Sequence, residues 1–166
     1  NAIALHDADD VILVEGGDYS PDAVALQEGA VLGIPAGTTT INGAISGLGE
    51  ITGRGIDGTS EVTDGIVLSL GDGTNDGVNY DGTLTIDNND FTLLDADGAD
   101  LDGVTRFALG TLNSANGISI GDGGSIWGPG TMATDVTIRD GALITPFRNN
   151  VDGRLVQHTQ DLTIEP

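Results

Sequence analysis

The side chains best suited to chemistry are the carboxylates of Asp95-Ala96-Asp97-Gly98-Ala99-Asp100-Leu101-Asp102-Gly103. Acidic residues at alternate or neighbouring positions around a glycine bend can converge on one hard cation, and calcium takes about 6–8 oxygen ligands. Asp95, Asp97, Asp100 and Asp102 are therefore the candidate calcium ligands, and a solvated acidic loop is the other reading of the same run. The EF-hand spacing is not met, since no Glu closes the run at the twelfth position and no helical pattern flanks it. Asp72-Gly73-Thr74-Asn75-Asp76-Gly77 is a sparser cluster of the same kind. Neither stretch has the nine-residue period of a calcium-binding roll.

Other catalytic chemistry finds less to work with. Among 26 acidic residues some pair will stand at a glycosidase separation by chance, so pairs alone do not identify a hydrolase. His6 and His158 lie in the terminal segments without a metal-ligand spacing or a serine motif beside them. Trp127 and Tyr80 offer rings on which sugars can stack, with packing as the competing role for Trp127. Cysteine is absent, which excludes disulfides, thiolate metal sites and cysteine nucleophiles. No catalytic residue and no cofactor other than calcium is expected.

The formal net charge is −21, with Arg54, Arg106, Arg139, Arg148 and Arg154 as the only basic side chains apart from histidine. Such a polyanion repels phosphate backbones and anionic lipid, so neither nucleic acid nor a membrane surface is an expected partner. The charge suits solubility in salty surroundings, and the sharper alternative is a surface for divalent cations or a cationic partner. No apolar run approaches the roughly 18 residues of a membrane span. The chain opens at Asn1 with neither methionine nor a signal peptide, as expected of a processed product or an excised fragment.

The elements that must position these side chains are short. Apolar runs such as Val11–Val14, Ala23–Leu26, Ile66–Leu70, Thr83–Ile86, Phe91–Leu94, Ile118–Ile120 and Val136–Ile138 end in Gly, Asn or Asp. That pattern predicts strands and tight turns, and no stretch carries an apolar stripe of helical period with a cap. The 27 glycines fit many turns, and an aromatic content of 4% leaves Val, Ile, Leu and Ala to fill a thin, layered interior.

Repetition narrows the architecture. Ile45-Ser46-Gly47-Leu48-Gly49-Glu50-Ile51 and Ile126-Trp127-Gly128-Pro129-Gly130-Thr131-Met132 share an apolar-x-Gly-x-Gly-x-apolar pattern, 81 residues apart (128 − 47). An apolar triplet, a polar turn and a second apolar pair recur at Val24–Leu32, Ile118–Ile126 and Val136–Ile144. Stacked units of this kind predict an all-β, right-handed parallel β-helix spanning residues 1–166 as one domain. Coils of about 20–25 residues would make roughly seven. Residues 57–82 and 95–117 keep the period poorly and are expected as irregular acidic loops leaving the stack.

Ile41-Asn42-Gly43-Ala44-Ile45-Ser46-Gly47-Leu48-Gly49-Glu50-Ile51-Thr52 is similar to the autotransporter-associated β-strand repeat. Gly128–Met132, Asp135–Ile138 and Asp140–Pro146, closed by Gly153–Val156 and Asp161–Ile164, resemble the passenger-associated repeat. Asp10–Tyr19 resembles the opening strand of many β-helix proteins, polysaccharide-active ones among them. The resemblance covers about half of the chain, mainly residues 10–52 and 117–164. It implies a secreted or surface-displayed β-helix with a structural or adhesive role, and it transfers no catalytic residue. A protein or glycan surface ligand, or self-association into a homo-oligomer, is the expected partnership. A phage spike or capsid-decorating protein on a virion, and a polysaccharide-active β-helix enzyme, are the alternatives.

Overall fold

A computed structural model describes residues 3–5, 10–14, 16–34, 37–53, 67–71, 73–74, 77–121, 123–145, 147–149, 155–157 and 162–165. The described residues form strands and turns, with no helix among them. The chain winds through seven coils. The first holds β1 (Ile3–Leu5), β2 (Val11–Leu13) and β3 (Gly17–Tyr19), and the second β4 (Ala23–Leu26), β5 (Val31–Gly33) and β6 (Thr38–Ile41). The third holds β7 (Ala44–Gly47), β8 (Glu50–Thr52) and β9 (Val67–Leu70), and the fourth β10 (Val78–Tyr80), β11 (Thr83–Ile86) and β12 (Asn89–Leu93). Next come β13 (Ala99–Leu101), β14 (Val104–Phe107) and β15 (Gly110–Ser114), then β16 (Ile118–Ile120), β17 (Ser125–Trp127) and β18 (Gly130–Ala133). The seventh coil holds β19 (Val136–Ile138) and β20 (Leu143–Thr145), a two-stranded excursion of β21 (Phe147–Asn149) and β22 (Leu155–Gln157), and finally β23 (Leu162–Glu165).

Every third strand stacks on the last, giving three seven-stranded parallel sheets. The first runs β1-β4-β7-β10-β13-β16-β19, the second β2-β5-β8-β11-β14-β17-β20, and the third β3-β6-β9-β12-β15-β18-β23. This is a parallel β-helix. Alternation sets what each strand buries, because successive side chains point to opposite faces. In the second sheet the inward ladder is Ile12, Leu32, Ile51, Leu84, Thr105, Ile126 and Ile144. In the third sheet Thr39, Leu68, Phe91, Leu112 and Met132 stack inward and are buried. Each buried Leu, Ile, Phe or Met removed from water stabilises the stack by roughly 1.5–3 kcal/mol.

The unit seen at Val24–Leu32, Ile118–Ile126 and Val136–Ile144 is one repeated structural piece, a first-sheet strand, a corner and a second-sheet strand. The two Gly-x-Gly copies are not equivalent in the same way. Gly47-Leu48-Gly49 turns the chain from the first sheet to the second, whereas Gly128-Pro129-Gly130 turns it from the second to the third. Their likeness is that of two tight corners with the same backbone demand: φ is +114° at Gly47 and +101° at Gly128.

The expected loops need correction. Residues 95–117 hold β13, β14 and β15, a full coil in register with its neighbours, and within 57–82 both β9 and β10 belong to the stack. The charged residues of this coil disguised it. Asp100 and Arg106 take outward positions between inward Ala99, Leu101, Thr105 and Phe107, and Gly98 and Gly110 mark corners. Residues 57–66, 72, 75 and 76 of the first expected loop lie outside the described residues.

One corner breaks its local preference. Leu109 holds φ at +68° although it carries a side chain, is 41% exposed, and donates its N–H to the Pro129 carbonyl at 2.8 Å. Left-handed backbone costs an ordinary residue roughly 1–2 kcal/mol, and asparagine tolerates it better. Leu109→Asn is therefore expected to raise stability by up to about 1 kcal/mol, read as a higher urea midpoint with an unchanged slope. A lower midpoint would show that packing of the leucine outweighs the strain.

Candidate functional site

The four candidate calcium ligands do not come together: Asp95 and Asp97 share one corner, Asp100 stands on β13 and Asp102 follows that strand. Asp95 lies in the corner between the third sheet and the next first-sheet strand and is only 4% exposed. Its Oδ2 accepts the Val78 N–H at 2.7 Å, its Oδ1 accepts the Asp97 N–H at 3.0 Å, and its carbonyl accepts from Asn116 Nδ2 at 2.7 Å. Asp95 thus ties together three successive corners. Burial pushes its carboxyl above the usual aspartate range, and the neighbouring Asp97 carboxylate adds to this. The two amides pull the other way without cancelling the effect. Asp97 is exposed beside it.

Asp100 points outward from β13 and forms a 2.9 Å ion pair with Arg139. Asp102 sits one corner further on. Among the described residues no group of three or more His, Asp or Glu side chains stands close enough to hold a metal ion. The reason is geometric. Asp95 and Asp97 share one corner, but β13 separates that corner from Asp102 and turns Asp100 outward, so the four carboxylates are spread around the coil.

Another arrangement takes shape at the corner between the first and second sheets. Asp81, Asp102 and Arg139 each follow a first-sheet strand and donate their N–H to the Gly47, Tyr80 and Ile120 carbonyls of the coil before. They stand in one column, with Gly121 between Asp102 and Arg139. A side chain on Gly121 would run into the Asp102 carboxylate. Gly121 thus makes room for that carboxylate, beside an open concavity of about 710 Å³ lined by Asp102, Gly121, Arg139, Asp140 and Gly141. Across that gap Arg139 reaches past one coil to Asp100, while Asp102 Oδ1 is buried with no hydrogen-bond partner in the described structure. The place combines a guanidinium donor with a carboxylate acceptor, a pairing able to hold hydroxyls.

The aromatic candidates separate cleanly. Tyr80 is buried, and its hydroxyl donates to the Gly49 carbonyl at 2.8 Å, so it braces the core and cannot stack on a sugar. Burial, with the Glu50 charge added, raises its phenol above the ordinary tyrosine range. Trp127 is half-buried on the outward side of the second sheet, next in register to Arg106, whose guanidinium lies 5.4 Å from the ring centroid. Arg106 therefore occupies the neighbourhood a sugar ring would need. His6 and His158 lie outside the described residues, as do Asp72, Asn75 and Asp76 of the sparser acidic cluster.

Sequence reasoning passed over Arg139 and Arg106. Their scarcity was the available signal, since each of five guanidinium groups among 26 acids has many carboxylates to choose from. It also missed Asn89, which is buried at a corner and directs Nδ2 to the Gly53 carbonyl at 3.4 Å.

No family profile, curated protein or solved structure matches the chain.

Proposed function

We propose that this chain is a non-catalytic structural and adhesive β-helix module of a secreted or surface-displayed protein, of the kind found in autotransporter passengers. The observation that supports it most is the outward side of the third sheet. There Thr38, Val67, Asp90, Thr111 and Thr131 stand in one register column and Thr40, Ser69, Thr92, Asn113 and Ala133 in another over coils two to six. Parallel strands about 4.8 Å apart set these short side chains in a flat, regular array. Such a face presents many weak hydroxyl and amide contacts to a protein or glycan surface. The absence of cysteine and the high negative charge fit a protein working outside the cell in salty surroundings.

The test is to immobilise the chain and measure retention on neutral and acidic glycans and on cell-surface protein, while assaying the same glycans for shortened products. Retention without depolymerisation is the expected result, weakened several-fold when Thr92 and Thr111 are both replaced by aspartate. Chain shortening that disappears in Asp102→Asn would instead establish the polysaccharide-active alternative.

A further inference from the structure

We infer that Asn116 is a self-modification site, at which the Gly117 nitrogen displaces the side-chain amide and so loosens a corner in the middle of the stack. The inference is independent of the adhesive reading. The chain has two Asn-Gly pairs, Asn42-Gly43 and Asn116-Gly117. A following glycine opens an asparagine to this attack, because no Cβ shields the backbone nitrogen and the backbone turns freely. Asn79, Asn88, Asn89 and Asn113 each precede a residue with a side chain. Aspartate pairs such as Asp97-Gly98 react more slowly, since an ionised carboxylate resists a nucleophile.

Both pairs turn the chain from the third sheet to the first, and the fold separates them. Between β6 and β7 the corner consists of Asn42 and Gly43 alone, and the Asn42 N–H donates to the Tyr19 carbonyl at 2.7 Å. Gly43 is buried, and a Cβ there would run into the Pro21 carbonyl of the coil before. Closing an imide ring moves the glycine nitrogen and its neighbours, and this corner has no room for that. Between β15 and β16 the corner is one residue longer, Ala115, Asn116 and Gly117. Asn116 is exposed on a turn, and Gly117 is partly exposed with φ at +90°. A Cβ on Gly117 would come no closer than 3.3 Å to the Asp135 carbonyl. One hydrogen bond opposes the step, from Asn116 Nδ2 to the Asp95 carbonyl at 2.7 Å. The attack proceeds when that bond opens, and on an exposed turn the opening is local.

Water is the only other reactant. The Gly117 nitrogen loses its proton and bonds to Asn116 Cγ, the Cγ–Nδ2 bond breaks, and Nδ2 leaves as ammonia. Water then opens the imide at either carbonyl, giving aspartate or its β-linked isomer, whose main chain carries an extra carbon. Both products undo the corner. The Asp95 carbonyl loses its donor and meets a carboxylate instead, beside the corner that already holds Asp95 and Asp97. The β-linked product also displaces Gly117, whose carbonyl accepts the Ala99 N–H at 3.1 Å, and Ile118, whose N–H donates to the Asp135 carbonyl at 2.9 Å.

Peptide mapping by mass spectrometry tests the inference on the whole folded chain kept in mildly alkaline buffer, with the same chain in urea as reference. In urea the two pairs are expected to react at similar rates, because local sequence alone governs them there. In the folded chain Asn116 is expected to convert at least about tenfold faster than Asn42, since crowding at Gly43 raises the barrier to ring closure. Asn116→Gln should keep its urea midpoint through the incubation while that of wild type falls. Asn116→Asp should start from a lower midpoint than fresh wild type at neutral pH. The mapping needs no variant, so it decides the matter even where Asn116→Asp folds poorly. Equal rates in the folded chain, faster loss at Asn42, or an Asn116 that stays intact while both pairs react in urea overturns the inference. An Asn116→Asp midpoint equal to that of wild type overturns the link to the corner.

Discussion

Replacing Gly128 by alanine is expected to cost about 3 kcal/mol, seen as a fall of roughly 6–12 °C in melting temperature. Two effects combine there. The backbone holds φ at +101°, where a side chain is strained whatever the space around it. A Cβ would also run into the Phe107 carbonyl oxygen of the coil before, which is backbone and cannot swing aside. Gly123 separates the two effects. It holds φ at +90°, yet a Cβ there would meet nothing within 4 Å. Gly123→Ala should therefore show the conformational strain alone, about 1 kcal/mol. Equal losses in the two variants would mean that the close approach of successive coils at Gly128 carries no energy. Gly47→Ala, with φ at +114° and the Leu26 carbonyl in the way, should behave like Gly128→Ala although it turns a different corner.

That last equivalence explains what the sequence revealed. The apolar-x-Gly-x-Gly-x-apolar pattern was legible because any corner of this stack imposes it, so it disclosed the architecture without disclosing the register. The register was carried by a plainer pattern. Val24–Leu32, Ile118–Ile126 and Val136–Ile144 each keep one inward apolar pair on either side of a polar corner, and all three prove to be the same corner. Residues 95–117 hid their strands for a physical reason. A strand of three or four residues buries only two side chains here, so one outward Asp100 or Arg106 is enough to make it look hydrophilic. The candidate site was less legible still. Which carboxylate turns inward at a corner depends on the coils above and below, and those neighbours lie about 20 residues away in sequence. Composition exposes the abundance of aspartate, but only stacking shows that Gly121 makes room for the Asp102 carboxylate beside the concavity that Arg139 lines.

Asp95 gives the other large expected effect, one that distinguishes a buried brace from a cation ligand. Asp95→Ala removes the acceptor for the Val78 and Asp97 amides, and the first of these opens a strand in the middle of the stack. An amide left unpaired in the interior costs roughly 1–3 kcal/mol, so a loss of about 2–4 kcal/mol is expected. Asp95→Asn keeps one acceptor oxygen and should lose about half as much. The pH dependence has a definite sign. The folded-state pKa is raised above the unfolded value near 4, chiefly by burial, so the folded chain takes up the proton more readily. The stability linked to this carboxyl is therefore fully present below about pH 4 and is lost as pH rises through the folded-state pKa. Wild type should gain on Asp95→Asn as pH is lowered from neutral, because the variant has no proton to take up at that position. Relief of repulsion among the other carboxylates affects both chains alike and cancels in the difference. Urea unfolding of the two at a series of pH values measures that difference directly. A gap that stays constant from pH 7 to pH 4, about the range in which aspartates titrate, would show that burial does not govern the Asp95 carboxyl.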